Sequence, residues 1–145
     1  MILHAGLIAA RLSGGWRGAL IMGESGSGKS DLALRAMEHG FRLVADDRVL
    51  AWTSEGRLFG RAPDPLAGLM ESRGLGVLSE PHLAFCEISL VVRCSDAPEG
   101  VERLPDPTST SILDVASPSL ELWPCDVAAP LKLLRAMQHL GAGLR

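Results

Sequence analysis

The 145-residue sequence contains no asparagine and no tyrosine, and only 4% of its residues are aromatic. Because 47% of the chain is hydrophobic, its core must be built mainly from aliphatic side chains. The lack of asparagine excludes GTPase switches, which read guanine through an Asn-Lys-x-Asp motif. Lysine is also rare, occurring at Lys29 and Lys132, whereas arginine is plentiful. The placement of one of these two lysines, Lys29, therefore supports a functional role for that residue.

The charge distribution and the hydropathy pattern argue against two further classes of protein. The net charge is −3 and the basic residues form no stripe, which argues against nucleic acid as the main partner. No apolar run reaches the roughly 18 residues that a membrane span requires. The first residues show no basic segment followed by a long apolar stretch. We therefore predict no signal peptide, no membrane association and a cytoplasmic location.

The three cysteines, Cys86, Cys94 and Cys125, are an odd number and lack Cys-x-x-Cys spacing. This pattern predicts buried or half-buried thiols in a reducing compartment and disfavours a zinc site. The length suits one domain, and no linker or internal repeat divides the chain. We therefore predict a single domain over residues 1–145.

One stretch fits the phosphate-binding pattern G-x-x-x-x-G-K-[ST] at every fixed position, between a predicted buried strand and a predicted helix. Glycines allow backbone N–H groups to turn towards phosphate, and the helix adds its positive N-terminal end. Lys29 can then reach the β- and γ-phosphates of a nucleotide, and the Ser30 hydroxyl can ligate magnesium. The predicted phosphate-binding residues are Gly23, Glu24, Ser25, Gly26, Ser27, Gly28, Lys29 and Ser30.

The remaining pattern predicts an α/β domain. Residues 2–12 are expected to form one strand that turns back into a strand over 17–22. After the helix, the strand over 41–45 is expected to lie beside 17–22 and parallel to it, as in a βαβ unit. The later predicted elements are a hairpin of strands 48–53 and 57–60, a helix over 63–70, a glycine-broken loop 71–76, a strand 84–94, a loop 95–107, two strands 112–115 and 120–123 separated at Ser117-Pro118, and a helix 129–140 capped by Asp126.

Two adjacent carboxylates, Asp46 and Asp47, follow the strand after the helix. Ligands bind at this edge of an open α/β sheet. One carboxylate there can accept the proton of an attacking hydroxyl, and the other can bind magnesium directly or through water. The pair therefore favours phosphoryl transfer over simple nucleotide binding. Glu71, Arg73, Arg103 and His4 are weaker candidates, because charged residues in loops are usually solvated.

The phosphate-binding pattern, Leu-Val-Ala-Asp-Asp at 43–47 and Met-Glu-Ser-Arg-Gly-Leu-Gly at 70–76 occur in an order and spacing that resemble the HPr kinase/phosphorylase family. The likeness covers residues 1–105 best. The chain is similar to the short form, consisting of the C-terminal catalytic domain only, that occurs in alphaproteobacteria. The resemblance implies a phosphate-loop core like that of phosphoenolpyruvate carboxykinase, with a mixed sheet and flanking helices.

The same resemblance implies a serine kinase that uses Mg²⁺ and ATP, or in many members pyrophosphate, to phosphorylate the phosphocarrier protein HPr. It also implies phosphorolysis in the reverse direction and a homo-oligomer, as a hexamer. Asp46 would be the catalytic base, contacted by His4, and Arg103 would lie near the transferred phosphate. Ser30, Asp47 and Glu71 would serve the magnesium site.

Two departures from the family's pattern bear on these implications. Asp31 stands where the family usually has glutamate, and the chain has no Arg-Pro-Gly-Arg block, which longer members carry in a basic loop linked to dephosphorylation. Two other classes remain open from the residues alone. They are a small-molecule kinase, although no arginine-rich lid is visible, and a module that senses ATP without transferring phosphate.

Overall fold

The first predicted strand is broken in two in the computed structural model, which describes residues 1–141. β1 (Ile2–Leu3) and β2 (Ala5–Leu12) are separated by a bend at His4. The break arises because the two strands have different neighbours. β2 pairs along its whole length with β3 (Gly15–Met22) in the predicted antiparallel hairpin, whereas β1 pairs with a later strand, β5 (Val49–Ser54).

The helix after the phosphate-binding pattern, α1 (Lys29–Met37), is confirmed, and β4 (Arg42–Ala45) follows it. The predicted neighbour of β4 was wrong. β2 lies between β3 and β4 and is antiparallel to both, so β4 is two strands away from β3. The parallel neighbour of β3 is β9 (Cys86–Cys94). The hairpin partner β2 covers one edge of β3 and β9 covers the other, so β4 can only pair with the far edge of β2.

The predicted hairpin in the middle of the chain is confirmed, with β5 antiparallel to β6 (Arg57–Arg61). The region after it differs from the prediction. The helix is a single 3₁₀ turn (Asp64–Leu66), since Gly68 has a φ of 75° and the chain becomes extended beyond it. The predicted loop 71–76 belongs mostly to a second hairpin, formed by β7 (Leu69–Ser72) and β8 (Gly76–Ser79).

The predicted break at Ser117-Pro118 was also wrong. β10 (Thr108–Ile112) and β11 (Val115–Leu122) form a hairpin whose turn lies at 113–114, and Pro118 lies inside β11. Proline is tolerated there because β11 pairs with β9 only from Ser119 onwards, which leaves one side of Pro118 without a strand. The last described element is α2 (Ala129–His139). Asp126 does not cap it as predicted, because the N-cap residue is Ala128 and Asp126 Oδ1 accepts a hydrogen bond from the Ala128 N–H, one residue before the helix.

Within residues 1–141, nine strands form one sheet, and β7 and β8 form a separate hairpin. The central order is β1-β5-β6-β9-β3-β2-β4, with β11 also alongside β9 and β10 outside β11. The two helices pack against one face through a buried aliphatic cluster that includes Ile8, Ile21, Leu32, Leu90 and Leu133. A second cluster on the other face draws its residues from strands and adjoining segments. This arrangement confirms the expected mixed α/β class and aliphatic core. No helix of the described region is long and apolar enough to cross a membrane.

Candidate functional site

The segment that fits the phosphate-binding pattern forms a tight loop between β3 and α1. Gly28, the residue before α1, has a φ of 101°, a left-handed conformation that favours glycine. A Cβ atom on Gly23 would lie 2.8 Å from Ser27 Oγ and 2.9 Å from Cys94 Cβ. A side chain at Gly23 would therefore force the loop to shift. The loop leads directly into a helix N-terminus, which is suited to an anion.

Lys29 places its ammonium group over this loop. The residue is 9% exposed, and Nζ donates hydrogen bonds to the carbonyl oxygens of Gly23 at 2.6 Å and Glu24 at 2.9 Å. These partners are neutral, so the loop carries a positive charge that an anion can balance. The same three N–H donors can turn from the carbonyls to a phosphate oxygen.

Asp46 lies at the end of β4 and connects two parts of the site. Its Oδ1 accepts a hydrogen bond from Ser30 Oγ at 2.7 Å, and its Oδ2 accepts one from the backbone N–H of Glu71 at 3.0 Å. The structure therefore brings Asp46 together with the last residue of the phosphate-binding pattern, across one intervening strand. The Glu71 N–H fixes the carboxylate from the side of the β7–β8 hairpin.

Asp47 has a different partner from Asp46. Its Oδ1 lies 3.0 Å from Nε2 of His4, and both side chains are more than half exposed. The resemblance implied that His4 would contact Asp46, and here it contacts Asp47. The bend between β1 and β2 places His4 at this position. Asp47 has a left-handed φ of 68°, which turns its carboxylate away from that of Asp46.

These elements surround one cavity of about 510 Å³. This volume is in the range of small-molecule sites. Ser30, Asp46, Asp47 and Glu71 all line it, whereas Arg103 lies exposed in the loop 95–107 and is not among the lining residues. The full lining set is Ser25, Gly26, Gly28, Lys29, Ser30, Asp31, Leu34, Asp46, Asp47, Met70, Glu71, Ser72 and Arg73.

The chemistry of the cavity suits a magnesium ion only in company with an anion. No group of three His, Cys, Asp or Glu side chains among residues 1–141 is arranged to hold a metal by itself. Magnesium is commonly bound by one or two carboxylates together with phosphate oxygens and water. The Ser30 hydroxyl and the carboxylates of Asp47 and Glu71, which belong to residues lining the cavity, offer such a partial set of oxygen ligands.

Sequence reasoning did not identify two contributions to this site. One is the backbone N–H of Glu71 on Asp46, which depends on β7 being a strand rather than part of a helix and loop. The other is Ser72, which lines the cavity between Glu71 and Arg73. A main-chain hydrogen-bond donor has no signature in the sequence. Only the alternation of apolar and polar residues over 69–72 could have indicated the hairpin.

The matched segment decides the family. The sequence profile of the family described as "HPr Serine kinase C-terminal domain" matches residues 15–122. This chain belongs to that family. The matched segment contains the phosphate loop, the acidic pair and the β7–β8 hairpin, so every part of the cavity comes from the region that the family shares.

Curated relatives named HPr kinase/phosphorylase occur in several bacteria. The chain is 50% identical over 66 residues to the protein of Clostridium tetani, covering 46% of this chain and 22% of that protein. It is 35% identical over 133 residues to the protein of Lactobacillus delbrueckii subsp. bulgaricus, covering 85% of this chain and 40% of that one. The chain therefore spans less than half the length of these relatives.

A solved structure of the Hpr(Ser) kinase/phosphatase from Coxiella burnetii has the same fold. The TM-score is 0.77, and the match covers 92% of this chain and 86% of the solved chain at 24% sequence identity. The family's fold, with its phosphate-loop core and mixed sheet, is thus the fold of this chain.

The thiols provide a test of the packing around the loop. Cys125 is exposed, contrary to the prediction of a buried or half-buried thiol, whereas burial raises the pKa of Cys94 to about 11 and that of Cys86 to about 12. Because the thiolate is the reactive form, we expect a disulfide reagent near neutral pH to modify Cys125 quickly and the other two only after denaturation. Fast labelling that persists in the Cys125→Ser variant would contradict this packing.

Proposed function

We propose that this chain transfers the γ-phosphoryl group of Mg-ATP to a serine hydroxyl of the phosphocarrier protein HPr. The single observation that carries the proposal is the hydrogen bond between Asp46 and Ser30. It joins a candidate base to the phosphate loop inside one cavity. A module that only binds nucleotide needs no base for an attacking hydroxyl, and the names of the relatives supply the acceptor.

The residues present fit both ATP and magnesium. Gly23, where a Cβ would clash, the left-handed glycines Gly26 and Gly28, and the Lys29 ammonium suit a polyphosphate. The Ser30 hydroxyl suits an oxygen-seeking cation. We assign Asp47 and Glu71, which line the same cavity, to the side of the metal. Magnesium supplies charge neutralisation of the phosphate oxygens when it is bound.

In the proposed reaction, one bond to phosphorus forms, another breaks, and one proton moves to Asp46. The oxygen of the acceptor serine forms a bond to the γ-phosphorus while the bond from that phosphorus to ADP breaks. Asp46 takes the serine proton on Oδ1 once the Ser30 hydroxyl has turned away, and the Glu71 N–H continues to hold Oδ2. Lys29 stabilises the charge on the phosphates, which is the main contribution in phosphoryl transfer.

His4 and Arg103 have supporting roles in the proposal. His4 holds the Asp47 carboxylate at 3.0 Å and so keeps it apart from Asp46. Arg103 lies outside the cavity wall, so its contribution to the transferred phosphate requires the loop 95–107 to move towards the site. Among Glu71, Arg73, Arg103 and His4, we therefore expect replacement of Arg103 to reduce phosphate transfer least. We also propose that a single domain carries the whole activity.

The proposal extends to the biological setting. The enzyme would regulate the phosphotransferase system in the cytoplasm, act on HPr without nucleic acid or membrane, and assemble into a homo-oligomer, a hexamer in the family's manner. Without an Arg-Pro-Gly-Arg block, we expect the forward kinase reaction to exceed phosphorolysis of phosphorylated HPr.

Incubation of the protein with labelled ATP, Mg²⁺ and HPr tests the proposal directly. We expect label on HPr, no label on HPr whose acceptor serine is replaced by alanine, and no transfer in the presence of a magnesium chelator. Intact protein that binds ATP but leaves HPr unlabelled would refute protein-kinase function. Label transferred to a small hydroxyl compound instead would identify a small-molecule kinase.

A further inference from the structure

The carboxyl ends of the parallel strands extend beyond the cavity, on the side of β3 that is opposite the acidic pair. β3, β9 and β11 are parallel neighbours, with Met22 and Glu121 both in register with Arg93. Their carboxyl ends therefore lie at one edge of the sheet, where ligands bind in α/β folds. The acidic pair lies on one side of β3, beyond β2, whereas β9 and β11 lie on the other side.

The position of the acidic pair on one side of β3 determines how a bound nucleotide is oriented. If the γ-phosphate faces Asp46 on the β4 side, the nucleoside must extend from the phosphate loop the other way, over the ends of β9 and β11. The end of β11 is two strand spacings from β3, about 10 Å. That distance suits a base attached through ribose to the phosphates in the loop.

The segment that follows β11, residues 123–126, lies against the phosphate loop. A Cβ on Gly28 would be 3.5 Å from Cβ and Cγ of Pro124, so this segment forms a wall directly beside the loop. Its first residue, Trp123, is partly exposed at the carboxyl end of the parallel strands. Of the other aromatic residues in the described chain, Trp16, Trp52 and Phe59 lie within β3, β5 and β6, and Phe41 and Phe85 directly precede β4 and β9.

Arg35 and Asp126 hold this wall in a fixed position. Arg35, on α1, donates hydrogen bonds to the carbonyl oxygens of Pro124 and Asp126. The N–H of Asp126 bonds to the carbonyl of Trp123 at 3.1 Å, and its side chain accepts the Ala128 N–H. The helix that starts at the phosphate loop thus anchors the wall, which is consequently positioned before any ligand arrives.

We propose that Trp123 is the stacking platform for the purine base of the nucleotide. The inference rests on the proposed function for the identity of the phosphates, and it adds the subsite that recognises the nucleoside. Every base has a π-face, so stacking supplies affinity without reading hydrogen-bond groups.

Binding of ATP and of inorganic tripolyphosphate, measured by calorimetry with Mg²⁺ and without HPr, tests the platform. From the loss seen when stacking aromatics are truncated, we expect Trp123→Ala to weaken ATP about fivefold to a hundredfold and to leave tripolyphosphate unchanged. Trp123→Phe should retain most of the affinity for ATP. The matched control is Trp52→Ala, which removes an indole stacked on Phe59 and should change neither ligand.

Three outcomes would overturn the platform. They are an equal loss of ATP and tripolyphosphate, no loss of either, and wild-type protein that binds ATP no more tightly than tripolyphosphate. A spectroscopic test avoids the truncation altogether: with Trp16 and Trp52 replaced by phenylalanine, ATP should change the fluorescence of Trp123 and tripolyphosphate should not. Because no acceptor is present, failure of transfer to HPr leaves this result independent of the proposed reaction.

Discussion

The Asp46→Asn variant is expected to lose phosphate transfer by about 10²–10⁴-fold, the usual contribution of a general base. ATP binding should remain close to that of the wild type. Asparagine has the shape of aspartate, and its side-chain oxygen can still accept either the Ser30 hydroxyl or the Glu71 N–H, so the cavity keeps its form. The change removes the negative charge and, with it, the ability to accept a proton. Transfer of label to HPr and calorimetric titration with ATP measure the two quantities separately.

Asp64→Asn is the matched control for this experiment. Asp64 is 93% exposed and pairs with Arg61 on the surface, so its replacement should leave transfer and binding unchanged. Asp47→Asn divides the roles of the two carboxylates. If that variant loses transfer with ATP binding intact while Asp46→Asn retains activity, the base is Asp47 with its partner His4. Parallel loss of binding and transfer in Asp46→Asn would show a structural role instead.

The Lys29→Ala variant is expected to lose both ATP binding and transfer. Lys29 supplies the positive charge of the loop, and charged hydrogen bonds are worth about 1.5–3 kcal/mol each, which corresponds to roughly a tenfold to hundredfold loss of affinity for one bond. Transfer should fall further, because the charge on the phosphates grows in the transition state. Titration with ATP and the labelled transfer assay give the two values.

The chain offers one matched control for this change, since its second lysine is Lys132. The Lys132 side chain is 58% exposed and pairs with the partly buried Asp126, a contact open to solvent on the lysine side and worth about 1 kcal/mol. Lys132→Ala should therefore bind and transfer like the wild type. Equal defects in the two lysine variants, or unchanged ATP affinity in Lys29→Ala with a normal melting temperature, would remove Lys29 from the binding site.

Short sequence patterns predicted the individual segments of the site, but they did not predict the strand order that brings these segments together. The phosphate loop, α1 and the hairpin of β2 and β3 follow from glycines and from helical or alternating periodicity, and the structure confirms them. Strand order is a long-range property. Nothing between residues 30 and 45 indicates that β4 pairs with the far edge of β2, or that β9 takes the free edge of β3, so the predicted parallel neighbour was wrong.

The wrong predictions of secondary structure near the site have local physical causes that override the sequence pattern. Pro63 and Pro65 suggested a helix, but the φ of 75° at Gly68 ends the turn and starts β7. Pro118 suggested a break, but the unpaired side of β11 accommodates it. The contact between His4 and Asp47 depends on a bend between two strands with different partners, which composition and spacing do not encode.

The pairing of β3 with β9 also determines when the binding edge can form during folding. Arg17 and Glu87 are in register although 70 residues separate them (87 − 17), so a long loop must close before the centre of the sheet exists. Non-local parallel pairing of this kind slows folding, whereas the hairpin of β2 and β3 can form from neighbouring residues. On a ribosome, the loop of residues 23–30 therefore emerges long before the strand that completes its surroundings. Newly made chains would pass through an interval in which a phosphate-binding sequence is present without a phosphate-binding site.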